Sequence, residues 1–133
     1  MDLNKLNDRQ QEAVRCIDGP LLIIAGAGSG KTSTMTHRIA YMIEQGISPY
    51  KILAVTFTNK AAKEMRQRLA KLLDEDADNR QFMPWMGTFH SICVRILRMD
   101  GASIGLDKRF LIYDIDDQVS LMKQIMKARG LTD

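Results

Sequence analysis

Residues 21–32 read LLIIAGAGSGKT, an apolar run followed by a glycine-rich segment and a Lys-Thr pair. The apolar run from Leu21 to Ala25 lies between a Gly-Pro pair and a glycine-rich segment, which suits a strand buried on both faces of a parallel sheet. The glycines permit positive φ angles and can turn successive main-chain N–H groups toward one point, where an anion binds. A Lys-Thr pair follows the last glycine, as in the phosphate-binding loop, although that pattern's first glycine is Ala25 here. The stretch therefore predicts a strand, a nucleotide-phosphate loop and a helix.

The loop predicts a role for each residue of the Lys-Thr pair. Lys31 would reach the β- and γ-phosphates of a nucleotide, and the hydroxyl of Thr32 would hold Mg²⁺. We therefore expect both residues to act in catalysis. Kinases, GTPases and many ATPases share this loop, so the base and the reaction must come from the surrounding sequence. The residues expected to hold the phosphates are Ala25, Gly26, Ala27, Gly28, Ser29, Gly30, Lys31 and Thr32.

Helical and strand patterns alternate on both sides of the loop. Upstream, Asn7 predicts the N-cap of a short helix, and Gln10 is placed to close a capping box. Downstream of the loop helix, Ile52–Phe57 has the pattern of a second buried strand. Asn59 predicts the N-cap of the next helix. This order of strands and helices predicts a parallel sheet with right-handed crossovers. Further along, Trp85–Gly87 predicts a third, short strand before another helix.

The composition is that of an ordinary globular domain, with 133 residues of which 45% are hydrophobic. The run at residues 21–25 is far too short to span a bilayer, and the first residues lack signal-peptide character, so we expect no membrane association. Cys16 and Cys93 have no metal-ligand spacing, and we expect two reduced thiols in the core. Basic side chains dominate residues 31–71 and an acidic cluster follows at 74–78, which suits a solvated surface as well as a binding site.

Three further segments resemble named motifs of the UvrD/PcrA/Rep-type superfamily 1 helicases. Residues 6–13, LNDRQQEA, resemble the family's Q motif, in which the glutamine matching Gln10 pairs with the adenine edge. A carboxamide can donate to N7 and accept from N6, which guanine does not reciprocate. The resemblance therefore implies ATP, although the same side chain could serve only the capping box.

The other two segments resemble the family's DNA-contacting motifs. Residues 56–62, TFTNKAA, resemble motif Ia, and residues 87–91, GTFHS, resemble motif Ib. Phe57 offers a face for base stacking, and its neighbours offer donors to phosphate at a helix start. Taken alone, Phe57 also suits a core position and Asn59 a helix cap. The residues that the resemblance implies in nucleic-acid binding are Phe57, Thr58, Asn59, Lys60, Thr88 and His90.

Residues 36–41, THRIAY, also resemble the family, in which they form mainly a packing helix. Many members carry an arginine directly after the loop threonine. This chain has Ser33 there, so the resemblance does not supply that nucleotide contact.

ATP hydrolysis in this family needs an Asp-Glu pair at a strand end, where the Asp assists Mg²⁺ and the Glu positions water. The run Phe110–Tyr113 ends at Asp114, but Ile115 stands where the Glu is needed. Asp114 and Asp117 instead suit an N-cap and a first-turn acid, as at the start of the family's inserted helical subdomain. We therefore expect a fragment, with residues 1–109 in motor domain 1A and residues 110–133 beginning subdomain 1B.

The resemblance implies an α/β P-loop NTPase with a RecA-like parallel sheet and flanking helices, truncated and running into an inserted all-helical subdomain. The parent would use ATP and Mg²⁺ to move 3′ to 5′ along single-stranded DNA and to unwind duplex at single-strand/duplex junctions. Its expected setting is DNA repair or replication in the cytoplasm, with the nucleoid. We expect the isolated chain to bind nucleotide weakly and not to turn it over.

Three other functions are compatible with a phosphate loop. The motor subunit of a recombination helicase-nuclease shares all of these motifs. A short, non-motor nucleotide-binding module would need only the phosphate loop. A small-molecule kinase would need a lid and an acceptor pocket, and the sequence suggests neither.

Overall fold

The chain, described over residues 3–131 in a computed structural model, has helices flanking a small parallel sheet. Short 3-10 turns lie at Pro49–Lys51 and Gly101–Ile104. In chain order the main elements are α1 (Asp8–Arg15), α2 (Lys31–Glu44), β1 (Ala54–Thr56), α3 (Asn59–Leu73), β2 (Met86–Thr88), α4 (Phe89–Asp100) and α5 (Ile115–Ala128).

Strands β1 and β2 pair in parallel, with Ala54 opposite Met86 and Thr56 opposite Thr88. Helix α3 lies between them in the chain and packs against both. Because parallel strands end at the same edge of a sheet, the residues after Thr56 and Thr88 lie side by side. The second strand of the sequence prediction is confirmed over part of its length, and the third is displaced by one residue.

The core is built from the inward faces of α2 and α3 and from the sheet. Apolar residues at helical spacing on α2 and α3 meet the strands, while the segment before β2 closes the cluster from one side. The buried residues of this cluster are Ile39, Ala40, Ile52, Ala54, Leu69, Ala70, Phe82, Met83 and Met86.

The helix starts follow their capping residues. Asn7 and Gln10 form a reciprocal capping box at α1, and Asp114 and Asp117 form another at α5, so both predicted caps are confirmed. At α3 the prediction is wrong by one residue. Thr58, not Asn59, is the N-cap, since its hydroxyl accepts the N–H of Ala61 at 3.1 Å.

Residues 21–25, expected as a buried strand, form no strand, and the side chains of Leu22 and Ile24 are 82% and 87% exposed. A strand buried on both faces needs hydrogen-bonded neighbours and a layer on each face. Neither β1 nor β2 pairs with this run. The prediction of a buried strand is therefore wrong for the described chain.

Both cysteines are free and exposed, so the expectation of core thiols is wrong. Cys16 is the C-cap of α1, at a helix end that faces solvent. Cys93 lies next to Ile92, which takes the buried face of α4. One step along a helix turns the side chain by about 100°, so Cys93 points away from the core.

The chain forms two compact units that divide within α4, between Val94 and Arg95. In the second unit, the guanidinium of Arg98 lies 4.9 Å from the ring centroid of Phe110 and donates to the carbonyl oxygen of Lys108 at 2.6 Å. The expected domains, residues 1–109 and 110–133, extend beyond the described residues at both ends and stay a prediction. No helix within residues 3–131 has the length and apolar character needed to cross a membrane.

Arg66 ties α3 to the segment that leads into β2. Its guanidinium donates to the carbonyl oxygens of Phe82, of Met83 at 2.9 Å and of Met86 at 3.3 Å. Burial lowers the pKa of Arg66 from its ordinary value, yet the group stays charged at neutral pH. The contact fixes a turn in which Met83, a non-glycine residue, has φ of +49°.

Replacing Arg66 with alanine should lower the free energy of unfolding by about 2 kcal/mol, because three carbonyl groups lose a charged donor. Urea denaturation of Arg66→Ala against the unchanged chain measures the difference. Arg80→Ala removes an exposed arginine from the neighbouring turn and should change stability by less than about 0.5 kcal/mol. Equal stability of the two variants would contradict the role given to Arg66.

Candidate functional site

The glycine-rich loop, residues 25–30, turns the chain into α2 through two left-handed glycines. Gly28 has φ of +74°, and Gly30, the N-cap of α2, has φ of +84°. A Cβ atom at Gly30 would also lie 2.8 Å from Nε2 of Gln10. The positive φ favours glycine at this position, whereas the Gln10 carboxamide is the end of a flexible side chain that could move aside.

The ammonium group of Lys31 folds back onto the loop. Its Nζ donates to the carbonyl oxygens of Ala25 at 2.7 Å and Gly26 at 2.6 Å. The Gly26 oxygen also accepts from the Ser29 hydroxyl at 2.6 Å, which closes the turn. An ammonium has three N–H donors, so these two bonds leave one for an anion. The loop therefore holds its positive charge against the main chain, on an exposed surface.

Helix α2 begins without a side-chain cap. Gly30 contributes no side-chain hydrogen bond, and intrahelical bonding starts with the N–H of Thr34 donating to the Gly30 oxygen at 2.9 Å. The amides of residues 31–33 therefore have no intrahelical acceptor and carry the positive end of the helix dipole. Thr32 is exposed at this end. The arrangement is suited to binding an anion.

Gln10 bridges α1 and the glycine-rich loop. Its Oε1 accepts the main-chain N–H of Asn7 at 3.0 Å, and its Nε2 donates to the carbonyl oxygen of Ser29 at 3.0 Å. Arg38 connects α2 to α1 directly, since its guanidinium donates to the carbonyl oxygen of Ala13 at 3.1 Å. Helix α1 is thus fastened both to the loop and to the helix that the loop begins.

Cavities adjoin the loop on its α1 side and on its α3 side. One, of about 220 Å³, is lined on the α1 side by residues that include Gln10, Ser29 and Lys31. The other, of about 280 Å³, opens on the α3 side. The residues that line this second cavity are Gly28, Gly30, Lys31, Thr32, Ser33 and Arg68.

Arg68 is one of the basic side chains of residues 31–71, and the sequence pattern assigns it no role of its own. The structure brings it from α3 to the cavity that holds Lys31 and Thr32. Its position in the sequence gives no sign of this, because the approach depends on how α2 and α3 pack. A guanidinium beside an uncapped helix end adds to the positive field of the loop.

The residues after β1 lie at the start of α3 and are exposed. Phe57 is 89% exposed, which excludes the core position that its type alone would suggest. Thr58 caps α3, and Asn59 and Lys60 occupy its exposed first turn. The first turn of a helix after a strand end presents main-chain donors together with these side chains.

The residues after β2 complete the same edge of the sheet. The ring of Phe89, 46% exposed, lies 5.4 Å from that of Phe57 by centroid and is inclined to it by 42°. Phe89 is not among the residues predicted from the sequence, although it lies in the segment that resembles motif Ib. Thr88 is buried and its hydroxyl accepts the N–H of Ser91 at 3.2 Å, while His90 is exposed on α4.

Because residues 21–25 form no strand in the described chain, the glycine-rich loop does not follow a strand of the sheet whose edge carries Phe57. Within residues 3–131, no group of three or more His, Cys, Asp or Glu side chains is arranged to hold a metal ion.

Comparison with known proteins identifies the family. The model of the UvrD/REP helicase N-terminal domain matches residues 6–133. Proteins named ATP-dependent DNA helicase PcrA are similar, at 54% identity over 130 residues in Staphylococcus aureus and 53% over 130 residues in Staphylococcus epidermidis. Each alignment covers 97% of this chain and 17% of the relative. The chain belongs to the UvrD/REP helicase N-terminal domain family.

Proposed function

We propose that this chain is the N-terminal, ATP-binding part of an ATP-dependent DNA helicase with a P-loop, RecA-like motor fold. The observation that carries the proposal is the glycine-rich loop, in which an uncapped helix start and the Lys31 ammonium converge. These groups suit a triphosphate, because main-chain N–H donors and an ammonium group both bind phosphate oxygens. A relative of 54% identity that is named an ATP-dependent DNA helicase supports the same assignment.

The proposed phosphate contacts come from residues 25–32, the glycine-rich loop and the first residues of α2. The ammonium of Lys31 would leave a loop carbonyl oxygen and bind the β- and γ-phosphates instead. The hydroxyl of Thr32 would serve as a ligand of Mg²⁺. Mg²⁺ supplies charge neutralisation on the phosphates when it is bound. Arg68 lies in place to meet phosphate oxygens from the α3 side.

The proposed nucleic-acid contact is the sheet edge after β1 and β2. Phe57 and Phe89 form an exposed pair of rings on which bases can stack, and stacking tolerates any base. Asn59, Lys60 and His90 follow the two phenylalanines closely in the chain, are exposed and can donate to phosphate. Thr58 and Thr88 act mainly by capping and so orienting the two first turns.

The activity of the whole protein is part of the proposal. The parent would translocate 3′ to 5′ on single-stranded DNA and unwind junctions in the cytoplasm, with the nucleoid, during repair or replication. Hydrolysis needs an Asp-Glu pair that this chain does not supply at Asp114, which serves as a helix cap. The motor subunit of a helicase-nuclease stays the second candidate, and the relatives' name does not favour it.

In the full-length gene product, Lys31→Ala should abolish DNA-stimulated ATP hydrolysis, because the β- and γ-phosphates lose their cation. The main-chain path of the glycine-rich loop should remain. A phosphate-release assay with single-stranded DNA measures the effect. Lys51→Ala, an exposed lysine on the 3-10 turn, is the control and should keep normal turnover. Normal turnover in Lys31→Ala would refute the proposed function.

Arg68→Ala should weaken ATP binding by about 10- to 100-fold, the loss expected for a charged hydrogen bond to phosphate. Lys71→Ala provides a matched comparison, because Lys71 is also a basic residue of α3 but does not line the loop cavity. Calorimetric titration with ATP and Mg²⁺ should therefore separate the two variants. Equal affinities would remove Arg68 from the site.

Phe57→Ala and Phe89→Ala should each weaken single-stranded DNA binding by about 1 to 3 kcal/mol, and the double variant should lose less than the sum because the rings contact each other. Fluorescence anisotropy with a labelled oligonucleotide measures these losses. Tyr50→Ala is the control, since Tyr50 is 58% exposed but precedes β1, at its other end. Losses that Tyr50→Ala reproduces would contradict a stacking platform.

A further inference from the structure

A basic cavity, here called the α2–α3 cavity, lies between these two helices and the segment before α1. Its volume is about 390 Å³, which is within the range of small-molecule sites. It is separate from the cavity that Lys31 and Thr32 line. The polar residues that line the α2–α3 cavity are Lys5, Ser33, Thr36, His37, Arg68 and Lys71.

The walls of this cavity follow from helical spacing. Ser33, Thr36 and His37 are three and four residues apart, so they share one face of α2. Arg68 and Lys71 are three residues apart and share one face of α3. Because α2 packs on α3, the two faces meet at one cavity.

The α2 wall has its polar groups engaged within its own helix. The Thr36 hydroxyl donates to the carbonyl oxygens of Thr32 at 3.0 Å and Ser33 at 2.9 Å. Nδ1 of His37 lies 2.7 Å from the same Ser33 oxygen, and a carbonyl oxygen only accepts, so this nitrogen is assigned the proton. The binding capacity of the cavity therefore comes mainly from its lysines and its arginine.

These three cations, Lys5, Arg68 and Lys71, are exposed. In the part of the chain that the structure describes, none of them forms an ion pair, and no Asp or Glu lines the cavity. The acidic cluster at residues 74–78 directly follows α3 in the chain, yet it contributes nothing to the lining. Positive charges that share one cavity repel each other, and an anion relieves that repulsion.

The charge of the cavity favours a particular class of ligand. Three positive charges are matched by a small ligand that carries several negative charges. A phosphate group carries up to about two negative charges and three acceptor oxygens, whereas a carboxylate carries one charge. A guanidinium can bind two oxygens of one phosphate, and each ammonium binds as a point charge. A group of linked phosphates therefore suits the cavity better than a single carboxylate.

We propose that the α2–α3 cavity is a second anion site, which binds a ligand with several phosphate groups. The site is distinct from the proposed nucleotide site, because Lys5 and Lys71 do not line the cavities beside the glycine-rich loop. Arg68 lines both, so a single guanidinium serves two ligands. Only this sharing of Arg68 rests on the proposed function. The phosphates belong either to a free oligophosphate or to the backbone of a nucleic-acid strand.

The test uses inorganic tripolyphosphate, titrated by calorimetry into the full-length gene product at a fixed concentration of free Mg²⁺. A saturating non-hydrolysable ATP analogue fills the glycine-rich loop, so that the remaining binding reports the α2–α3 cavity. Lys5→Ala and Lys71→Ala should each weaken this binding by about 5- to 20-fold, because each removes one of three attracting charges. Lys63→Ala is the matched control, since Lys63 is an exposed lysine of α3 that does not line the cavity.

A single-stranded oligonucleotide distinguishes the two sources of phosphate. If the strand backbone is the ligand, the oligonucleotide should displace tripolyphosphate, and its own affinity should fall in Lys5→Ala and in Lys71→Ala. Each lysine removed should then lower the slope of DNA affinity against salt concentration by about one, on logarithmic scales. If a free oligophosphate is the ligand, the oligonucleotide should leave tripolyphosphate binding unchanged.

Other outcomes would overturn the inference. Equal tripolyphosphate affinity in Lys5→Ala, Lys71→Ala and Lys63→Ala would remove the site. A hexaglutamate peptide that binds as tightly as tripolyphosphate, through the same two lysines, would overturn the assignment to phosphate.

Arg68→Ala tests the sharing of one guanidinium. It should weaken the binding of both ATP and tripolyphosphate, and weaker binding of ATP alone would remove Arg68 from the second site. An ATP analogue that fails to bind the unchanged protein contradicts the proposed nucleotide site. In that case the dependence of tripolyphosphate binding on Lys5 and Lys71 still decides whether the α2–α3 cavity is an anion site.

Discussion

The structure depends most on the path of the main chain from the glycine-rich loop into α2. Two left-handed glycines, at positions 28 and 30, let the chain enter the helix with its first amides uncapped. The ammonium of Lys31 lies at this positive helix end, where two loop carbonyl oxygens accept its hydrogen bonds. The result is a compact site of positive potential whose anion donors are mostly main-chain amides.

Helix α1 is hydrogen-bonded to the glycine-rich loop and to α2. Gln10 fastens the loop carbonyl at Ser29, and Arg38 fastens α2 to the last residues of α1 through Ala13. A short helix has little stability of its own, so its capping box and these two ties make it part of the site. The sheet edge is organised in a comparable way, since Arg66 holds the segment that delivers β2 alongside β1. In both places a polar side chain sets the position of a backbone that the site needs.

The helix caps and the glycine-rich loop could be predicted from local patterns in the sequence, whereas long-range packing could not. Asn7 and Asp114 were predictable because a capping box involves residues only three apart. The run at residues 21–25 was not, because a buried strand is defined by neighbours that the described chain does not pair with it. Arg68 and Phe89 were missed for the same physical reason. Their importance comes from α2 packing on α3 and from β1 pairing with β2, and no spacing rule within one segment encodes either.

The proposed function requires that main-chain amides at the start of α2 hold a triphosphate. A crystal structure of the full-length gene product with Mg²⁺ and a non-hydrolysable ATP analogue tests it most directly. We expect β- and γ-phosphate oxygens to accept hydrogen bonds from the amides of residues 28–32, and Nζ of Lys31 to move from the loop carbonyl oxygens onto these phosphate oxygens. A nucleotide bound elsewhere, with Lys31 still on the oxygens of Ala25 and Gly26, would contradict it.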